Sequence, residues 1–472
     1  MTDIIRELAE LQEGDLPTHG GRTLAYVYDS GHPEADEIGR QAVAAFAATN
    51  GLDPTAFPSM LAMENDLVGM ACSILDAPDT AVGNVTSGGT ESCLLAVQTA
   101  RDGHPSRSPN IVVPATVHAA FLKAAHYFEV QARVVPVRDD FRADPEAMTE
   151  AIDRDTVLVV ASAPSYAHGV IDPIAEIAAA AAEREVRCHV DACIGGWVLP
   201  FAKRLGRVVR PWTFAVPGVT SISLDLHKYG YTPKGASLLL HATPALRKAQ
   251  YFAYADWPGY TMLNSTMQST KSGAPLAAAW AVTRHFGLDG YDRLTAELLA
   301  GLDAILAGVA RIDGMTVVAP PDSSLVALRS DDSCDVFTIA DLMSAAGWYV
   351  QPQLSFAGLP PSLHLSVCAA TAPHVPEFLA ALEDAVELAR RQGPIQIDPG
   401  IADFIGSLDA YSLRDEDFDG LLVAAGMTGG AGLPDKMAEI NSLLDLAEPR
   451  LREALLVAFL DRLQRPTRPA GW

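Results

Sequence analysis

At 472 residues the chain exceeds what one hydrophobic core holds and predicts two or three lobes of ordinary domain size. Hydrophobic residues at 49% against 19% charged exclude a disordered chain. A formal charge of −24 argues against nucleic acid and anionic membrane surfaces as partners.

Six cysteines (Cys72, Cys93, Cys188, Cys193, Cys334, Cys368) lie mostly in apolar segments without a CxxC pair, which fits reduced thiols better than disulfides. The stretch Met1 to Glu7 lacks the basic, apolar, small-residue order of a secretory signal. The alanine-rich run from Ile174 to Ala182 is far too short for a membrane span. The expectation is a cytoplasmic protein without a membrane anchor.

Residues 1–75 read as an N-terminal arm with helices near Ile4–Glu13, Asp36–Ala48 and Met60–Leu75, separated by turn-rich segments. From about residue 80, short apolar runs alternate with helical periods. Strands are predicted at Thr80–Val85, Asn110–Val113, Ala132–Val137, Thr156–Ala161 and Val186–Asp191. Helices are predicted at Thr90–Arg101, Val117–Phe128, Pro145–Ile152 and Pro173–Glu183. That rhythm means βαβ units and a mainly parallel sheet covered on both faces. Val219–Leu226 and Ala236–His241 add two strands with no helix between them, so the sheet should be mixed.

This large domain is expected over 76–290. Long helices at Ala274–Phe286 and Tyr291–Arg311 lead into a small α+β domain over 291–400. Its expected elements are Thr316–Val318, Ser324–Leu328, helix Val336–Ala346, Tyr349–Gln351, His364–Val367 and helix Val375–Arg391. A helical extension over 401–472 follows, with a glycine-rich break at Thr428–Gly432 and a frayed end at Arg465–Pro469.

Four pieces carry chemistry. Thr86-Ser87-Gly88-Gly89-Thr90-Glu91-Ser92 follows a strand and opens a helix, so bare backbone N–H groups and a helix N-terminus face an anion. In Cys188-His189-Val190-Asp191-Ala192-Cys193, strand alternation sets His189, Asp191 and Cys193 on one face. Asp191 at a buried strand end needs a structural cation, a metal shared with His189, or a protonated heterocycle. His118 sits just after a strand, at the start of a helix. Lys228 ends the strand that leads through Leu224-Asp225-Leu226-His227, where desolvation favours a neutral, nucleophilic amine.

A phosphate cradle, a strand-end acid, an aromatic base and a strand-end lysine are the contacts that pyridoxal 5'-phosphate requires. Lys228 would form the Schiff base, and Asp191 would keep the pyridine nitrogen protonated. His118 would stack on the ring with Cys193 beneath it, and Ser87, Gly88, Gly89 and Thr90 would hold the phosphate. No metal is expected.

Five stretches then resemble a known family. They are Thr86–Ser92, His118–Phe121, His168-Gly169-Val170-Ile171-Asp172-Pro173, His189–Gly196 and Pro217–Gly235. Together, from about residue 24 to the helical tail, they are similar to sphingosine-1-phosphate lyases within the group II pyridoxal-phosphate decarboxylases. The resemblance implies an α/β, fold-type I (aspartate aminotransferase-like) homodimer with active sites at the subunit interface. It implies that His227 lies near the cofactor phosphate and that Ser269 and Thr270 reach the phosphate bound by the neighbouring subunit. It further implies Tyr166 near the reacting carbon, beside Lys228 and His118 as catalytic groups, and Lys234 at a substrate phosphate. Where the family reads Asn-Pro-Leu-His-Pro-Asp, this chain has Asn50-Gly51-Leu52-Asp53-Pro54-Thr55, and Asp53 would repel such a phosphate.

The expected reaction is carbon–carbon cleavage of an amine, by an aldehyde-lyase acting on a β-hydroxy amine or by a carboxy-lyase acting on an amino acid. The rivals are a metal hydrolase using His189, Asp191 and His227, and a scaffold that has lost its chemistry. The basic run Lys203, Arg204, Arg207 and Arg210 guides an anion or is a solvated loop.

Overall fold

The computed structural model describes residues 3–414, 416, 418, 420 and 437–466. The expected Thr428–Gly432 break and the end beyond Pro466 lie outside the described residues. By internal packing the chain forms two compact units. The first runs to Ile305 and includes Ala319–Ala327 and Ser366–Val375. The second comprises Leu306–Val318, Leu328–Leu365 and the residues from Pro376 onward. The arm and the large domain expected from the sequence therefore fall into one unit.

The first unit is built on seven strands: β1 (Val82–Thr86), β2 (Asn110–Pro114), β3 (Gln131–Val135), β4 (Thr156–Ser162), β5 (Arg187–Asp191), β6 (Val219–Asp225) and β7 (Ser237–His241). Their spatial order is β1-β7-β6-β5-β4-β2-β3. β7 is antiparallel to both neighbours, and the other pairs are parallel. β2, β4 and β7 are buried at every residue. This explains why they read as unbroken apolar runs: helices cover both faces of a parallel sheet, so no face needs polar residues. Under one face Leu94 and Val97 of the Gly89–Asp102 helix and Phe121 of the Ala120–Tyr127 helix pack on Ile111, Val113, Leu158 and Val160. Truncating fully buried Phe121 to alanine would cost about 3–5 kcal/mol.

Because β1 runs parallel to β6, the carboxyl ends of β1, β2, β4, β5 and β6 reach the same edge of the sheet. Thr86, Ser162, Asp191 and Asp225 stand there, at the position where open α/β sheets bind ligands. The turn into β6 depends on Gly218, at φ +95°, where a Cβ would meet the Ala178 carbonyl oxygen at 2.4 Å.

The sequence pattern did not predict a hairpin of β8 (Phe252–Tyr254) and β9 (Met262–Asn264). β8 faces solvent throughout, and β9 exposes Leu263 between half-buried Met262 and Asn264, so three-residue strands offer too little alternation to betray them. The two helices expected at Ala274–Phe286 and Tyr291–Arg311 form a kinked run, Gly273–Val309, broken by Gly287 at φ +56°. A second sheet has the order β10-β11-β13-β12, from β10 (Met315–Val317), β11 (Leu325–Ser330), β12 (Gln351–Gln353) and β13 (Ser362–Ser366). Among the described residues, no helix is long and apolar enough to cross a membrane.

Candidate active site

The carboxyl edge of the seven-stranded sheet opens into a cavity of about 450 Å³. Ser87, Gly88, Gly89, Thr90, His118, Tyr166, Asp191, Cys193, His227 and Lys228 all line it. These expected site residues lie at or just beyond the ends of β1, β2, β4, β5 and β6, which is how positions up to 141 apart in sequence share one wall. Asn50, Asp53, Lys234, Ser269 and Thr270 are not brought to this cavity by their own chain.

The glycine loop owes its shape to what lies behind it. A Cβ on Gly89 would meet the Asp225 carboxylate oxygens at 2.7 and 2.8 Å and Cys193 Sγ at 2.9 Å, so only glycine fits. The Ser87 amide donates to Glu91 Oε2 at 2.6 Å, and the Met267 amide to Glu91 Oε1 at 2.9 Å. Glu91 thereby ties the loop to the segment that carries Ser269. Sequence reasoning passed over Glu91, although an acid in the first turn of a helix is a stabilising position.

Lys228 differs from its sequence expectation. Its Nζ lies 2.8 Å from Asp225 Oδ2, and Asp225 is 2% exposed. Burial opposes the lysine charge, but the adjacent carboxylate outweighs it and holds the amine well above the ordinary lysine range. Lys228 is therefore an ammonium ion here, and the neutral amine expected from desolvation is not its state in this structure. For Asp225 burial pulls upward, while Lys228 and then His227 pull further down, leaving the carboxyl below its usual range. His227 Nε2 lies 3.9 Å from the same oxygen, and burial lowers its proton affinity. Asp225 was absent from the sequence-derived site. Its signal was an acid three residues before the lysine on a strand with no other charge.

Asp191, 7% exposed, accepts from the Cys193 amide at 3.1 Å. Cys193 Sγ contacts Ser223 Oγ at 3.5 Å. Ligand atoms of Cys93, Asp191 and Cys193 lie within 4.8 Å of one another. The hydrogen bond between the thiols raises the proton affinity of Cys193 and lowers that of Cys93, but burial and the nearby acids leave both above the ordinary thiol range. His189 stands apart: its Nδ1 and Nε2 are engaged by Ser221 Oγ at 2.8 Å and Ser223 Oγ at 3.1 Å, inside the sheet. That leaves no ring nitrogen for the metal site of the hydrolase alternative.

His118 precedes the Ala120–Tyr127 helix, and its Nδ1 accepts from the Ala120 amide at 3.2 Å. Burial pushes the Tyr166 phenol up to about 12. Asp172 of the expected His168–Pro173 motif is structural, accepting from the Ala143 and Ser162 amides at 2.8 Å each. Beyond Lys228, the Tyr229 hydroxyl donates to Val367 O at 3.0 Å, and Tyr28 packs edge-on against Tyr229 with centroids 5.0 Å apart. Lys234 Nζ donates to Tyr26 O at 3.0 Å and lies 4.9 Å over the Tyr28 ring.

The remaining expected residues gather elsewhere. Asn50 bridges to Ser272, and its Oδ1 accepts from the Leu52 amide at 3.1 Å. Exposed Asp53 accepts from the Thr55 amide at 2.8 Å and hydroxyl at 2.6 Å. Ser269 lines a second cavity of about 320 Å³ with Gly51, Leu52 and Lys271. Within the basic run Arg204 pairs with Asp292 at 2.8 Å, and Arg207 pairs with Asp303.

Comparison with known proteins follows the same outline. Residues 38–330 match the family model described as the pyridoxal-dependent decarboxylase conserved domain. Residues 399–462 match a model for a C-terminal helix-turn-helix domain of pyridoxal-dependent enzymes. The sphingosine-1-phosphate lyase of Arabidopsis thaliana is 38% identical, across 78% of this chain and 68% of its own. That of Dictyostelium discoideum is 35% identical, across 89% and 79%. A solved structure of a Burkholderia pseudomallei sphingosine-1-phosphate lyase superposes with a TM-score of 0.77 at 32% identity, covering 87% of this chain and 94% of that one. The chain thus belongs to the pyridoxal-dependent decarboxylase family, as a sphingosine-1-phosphate lyase-like, fold-type I lyase that depends on pyridoxal 5'-phosphate.

Proposed function

We propose that the Lys228 cavity is the cofactor site and that the enzyme cleaves the Cα–Cβ bond of a β-hydroxy amine, releasing an aldehyde. The observation that carries this reading is the meeting of Lys228, the Gly88–Gly89 helix N-terminus and Asp191 around one cavity. Its volume suits a cofactor of this size. Two further features fit the group. Gly89 leaves free the space that any Cβ would contest with Asp225. Asp225 Oδ1 and His227 Nδ1 are buried side-chain atoms without a hydrogen-bond partner among the described residues.

Bound there, pyridoxal 5'-phosphate supplies the electron sink for the pair left on Cα when the carbon–carbon bond breaks. Lys228 would attach it as a Schiff base, and Asp191 would hold the proton on its ring nitrogen. Ser87, Gly88, Gly89 and Thr90 would bind its phosphate through backbone N–H groups, with His227 beside them. His118 would cover one ring face and Cys193 the other.

For the cleavage, the β-hydroxyl gives up its proton, the β-carbon leaves as the aldehyde, and Cα takes a proton before the amine departs. At neutral pH the Tyr166 phenol keeps its proton, which suits donation and hydrogen bonding to the substrate. Lys228 and His118 are the groups left to move protons at Cα and the hydroxyl. Lys234, a cation beside the N-terminal arm, would meet an anionic end of the substrate. Asn50 and Asp53 would act on substrate bound by another copy.

The active unit on this reading is a homodimer. Phe252, Tyr254, Tyr260 and Leu263 on or beside the β8–β9 hairpin are each at least half exposed, an apolar patch that invites cover by a second copy. Ser269 and Thr270 follow that hairpin and would reach the partner's cofactor phosphate. Six free cysteines suit a reducing, cytoplasmic setting.

The test is incubation of the holoenzyme with a phosphorylated sphingoid base, its unphosphorylated form and a panel of amino acids, with aldehyde and carbon dioxide both measured. Aldehyde from the sphingoid bases supports the proposal, and the two forms show whether phosphate is required. Carbon dioxide from an amino acid with no aldehyde would replace it with the carboxy-lyase alternative. Absence of both products with all substrates would favour a scaffold.

A further inference from the structure

Asp225 sits where an acid is least expected in a phosphate-binding pocket. Its carboxylate oxygens are the atoms that a Gly89 Cβ would strike, so the carboxylate borders the glycine loop directly. One oxygen holds Lys228 at 2.8 Å, and the other is buried with no hydrogen-bond partner among the described residues. A dianionic phosphate entering the same loop would face a second, desolvated anion.

The charges around Asp225 do not cancel both anions. From its own segment come Lys228 and His227, and burial favours the neutral form of the imidazole. From the end of β5 and just beyond it come Asp191 and Cys193, and from the helix after β1 come Glu91 and Cys93. Both thiols are held protonated. β7 offers the neutral Ser237, opposite Asp225 in register. At longer range Lys234 and the Tyr28 phenol sense the carboxylate. Among the described residues Lys228 is thus the one close cation, and attaching the cofactor takes its amine away from Asp225.

We propose that Asp225 makes cofactor loading proton-coupled: about one proton enters with the phosphate and is held between it and the Asp225 carboxylate. This rests on the reading that the cofactor occupies the Lys228 cavity. Joining an ammonium to an aldehyde as a protonated imine, with loss of water, leaves the charge unchanged. Near neutral pH the ring nitrogen is protonated both free and against Asp191, so there the extra proton reports on the phosphate and Asp225. Above the second pKa of a phosphate monoester, about 6, affinity should fall roughly tenfold per pH unit, as linkage of one proton requires.

The experiment is calorimetric titration of apoenzyme with pyridoxal 5'-phosphate in buffers of differing ionisation enthalpy, between about pH 6 and neutrality, above the second phosphate pKa. Wild type should take up about one proton per site. Asp225→Asn, isosteric and uncharged, should take up none and bind with affinity independent of pH, with imine protonation read from its absorbance so that any proton entering at Lys228 is counted separately. His227→Asn should retain the uptake. Equal uptake by wild type and Asp225→Asn, or its loss in His227→Asn, overturns the proposal. So does a wild-type affinity flat with pH, which needs no variant to fold. Borohydride reduction of each titrated sample with peptide mapping separates the two levels: label on Lys228 keeps the site reading even if the proton is absent, and label elsewhere sinks the site reading itself.

Discussion

Two regions hold the residues singled out by the sequence, and they are built on different principles. The Lys228 cavity lies at the ends of buried strands, where the register sets Ser162 of β4 opposite Asp191 of β5, and Asp191 opposite Ser223, two residues before Asp225 of β6. The second region, made of residues 50–54 and the stretch from the β8–β9 hairpin to Lys271, is loop on loop. The first closes around its charges within one chain. The second leaves aromatic side chains in solvent. The difference teaches that buried strand ends can fix a charged cavity within one chain, while exposed loops leave a surface that, on the proposed reading, a second copy would complete.

The largest effect expected from breaking this contrast is at Lys228. Lys228→Ala should lower aldehyde release by about three orders of magnitude or more, as loss of a covalent catalytic group does. The checks are turnover and the absence of a borohydride-fixed cofactor. It also leaves Asp225 as a buried charge without its partner, so a stability loss of about 3–5 kcal/mol is expected in denaturant unfolding.

Next comes the exposed region. Phe252→Ser combined with Leu263→Ser should shift the sedimenting species from dimer to monomer and remove most activity while leaving the thermal unfolding of the chain nearly unchanged. A dimer that survives the double change would mean that the hairpin is not the interface.

A smaller effect is expected at the glycine loop. The Gly89→Ala methyl collides with Asp225 and Cys193, and relieving an overpacked contact costs about 1–3 kcal/mol. Cofactor affinity should therefore fall roughly tenfold to a hundredfold, read by titrating apoenzyme.

Acid should act on the interior before the loops. Burial lowers His168 and His189 to about 4 and His241 to about 3. The unfolded chain takes up these protons below about 6.5, and the native chain resists until its lower values. Stability present above that pH is therefore lost as pH falls through the depressed range, on the order of several kcal/mol in all. Asp172, raised to about 6 by burial, acts in the opposite sense, but it is one group against three. Urea melts at successive pH values measure the sum. The smallest change is at exposed Asp53: Asp53→His should improve KM for a phosphorylated substrate by a few fold, leaving kcat nearly unchanged.

Much of the fold was legible. The apolar runs of β2, β4 and β5 and the helices between them follow from period and burial, which are local properties. The hairpin at 252–264 was not legible, because three-residue strands, one of them wholly exposed, carry too little alternation. Leu199–Arg204 was also missed: a six-residue helix offers less than two turns of pattern.

By itself the sequence determined which chemistry the chain is built for. A glycine loop, a strand-end acid and a strand-end lysine are residue types whose function is set by their chemistry, and Gly88-Gly89, Asp191 and Lys228 could be read in that way. Only the tertiary structure decided which groups face one another. It set Asp225 against Lys228 and so kept the lysine charged, tied both nitrogens of His189 to serines, and left Asn50, Asp53, Ser269 and Thr270 outside the cavity of their own chain. Charge state and access depend on distances through space, between residues that the linear order does not bring together.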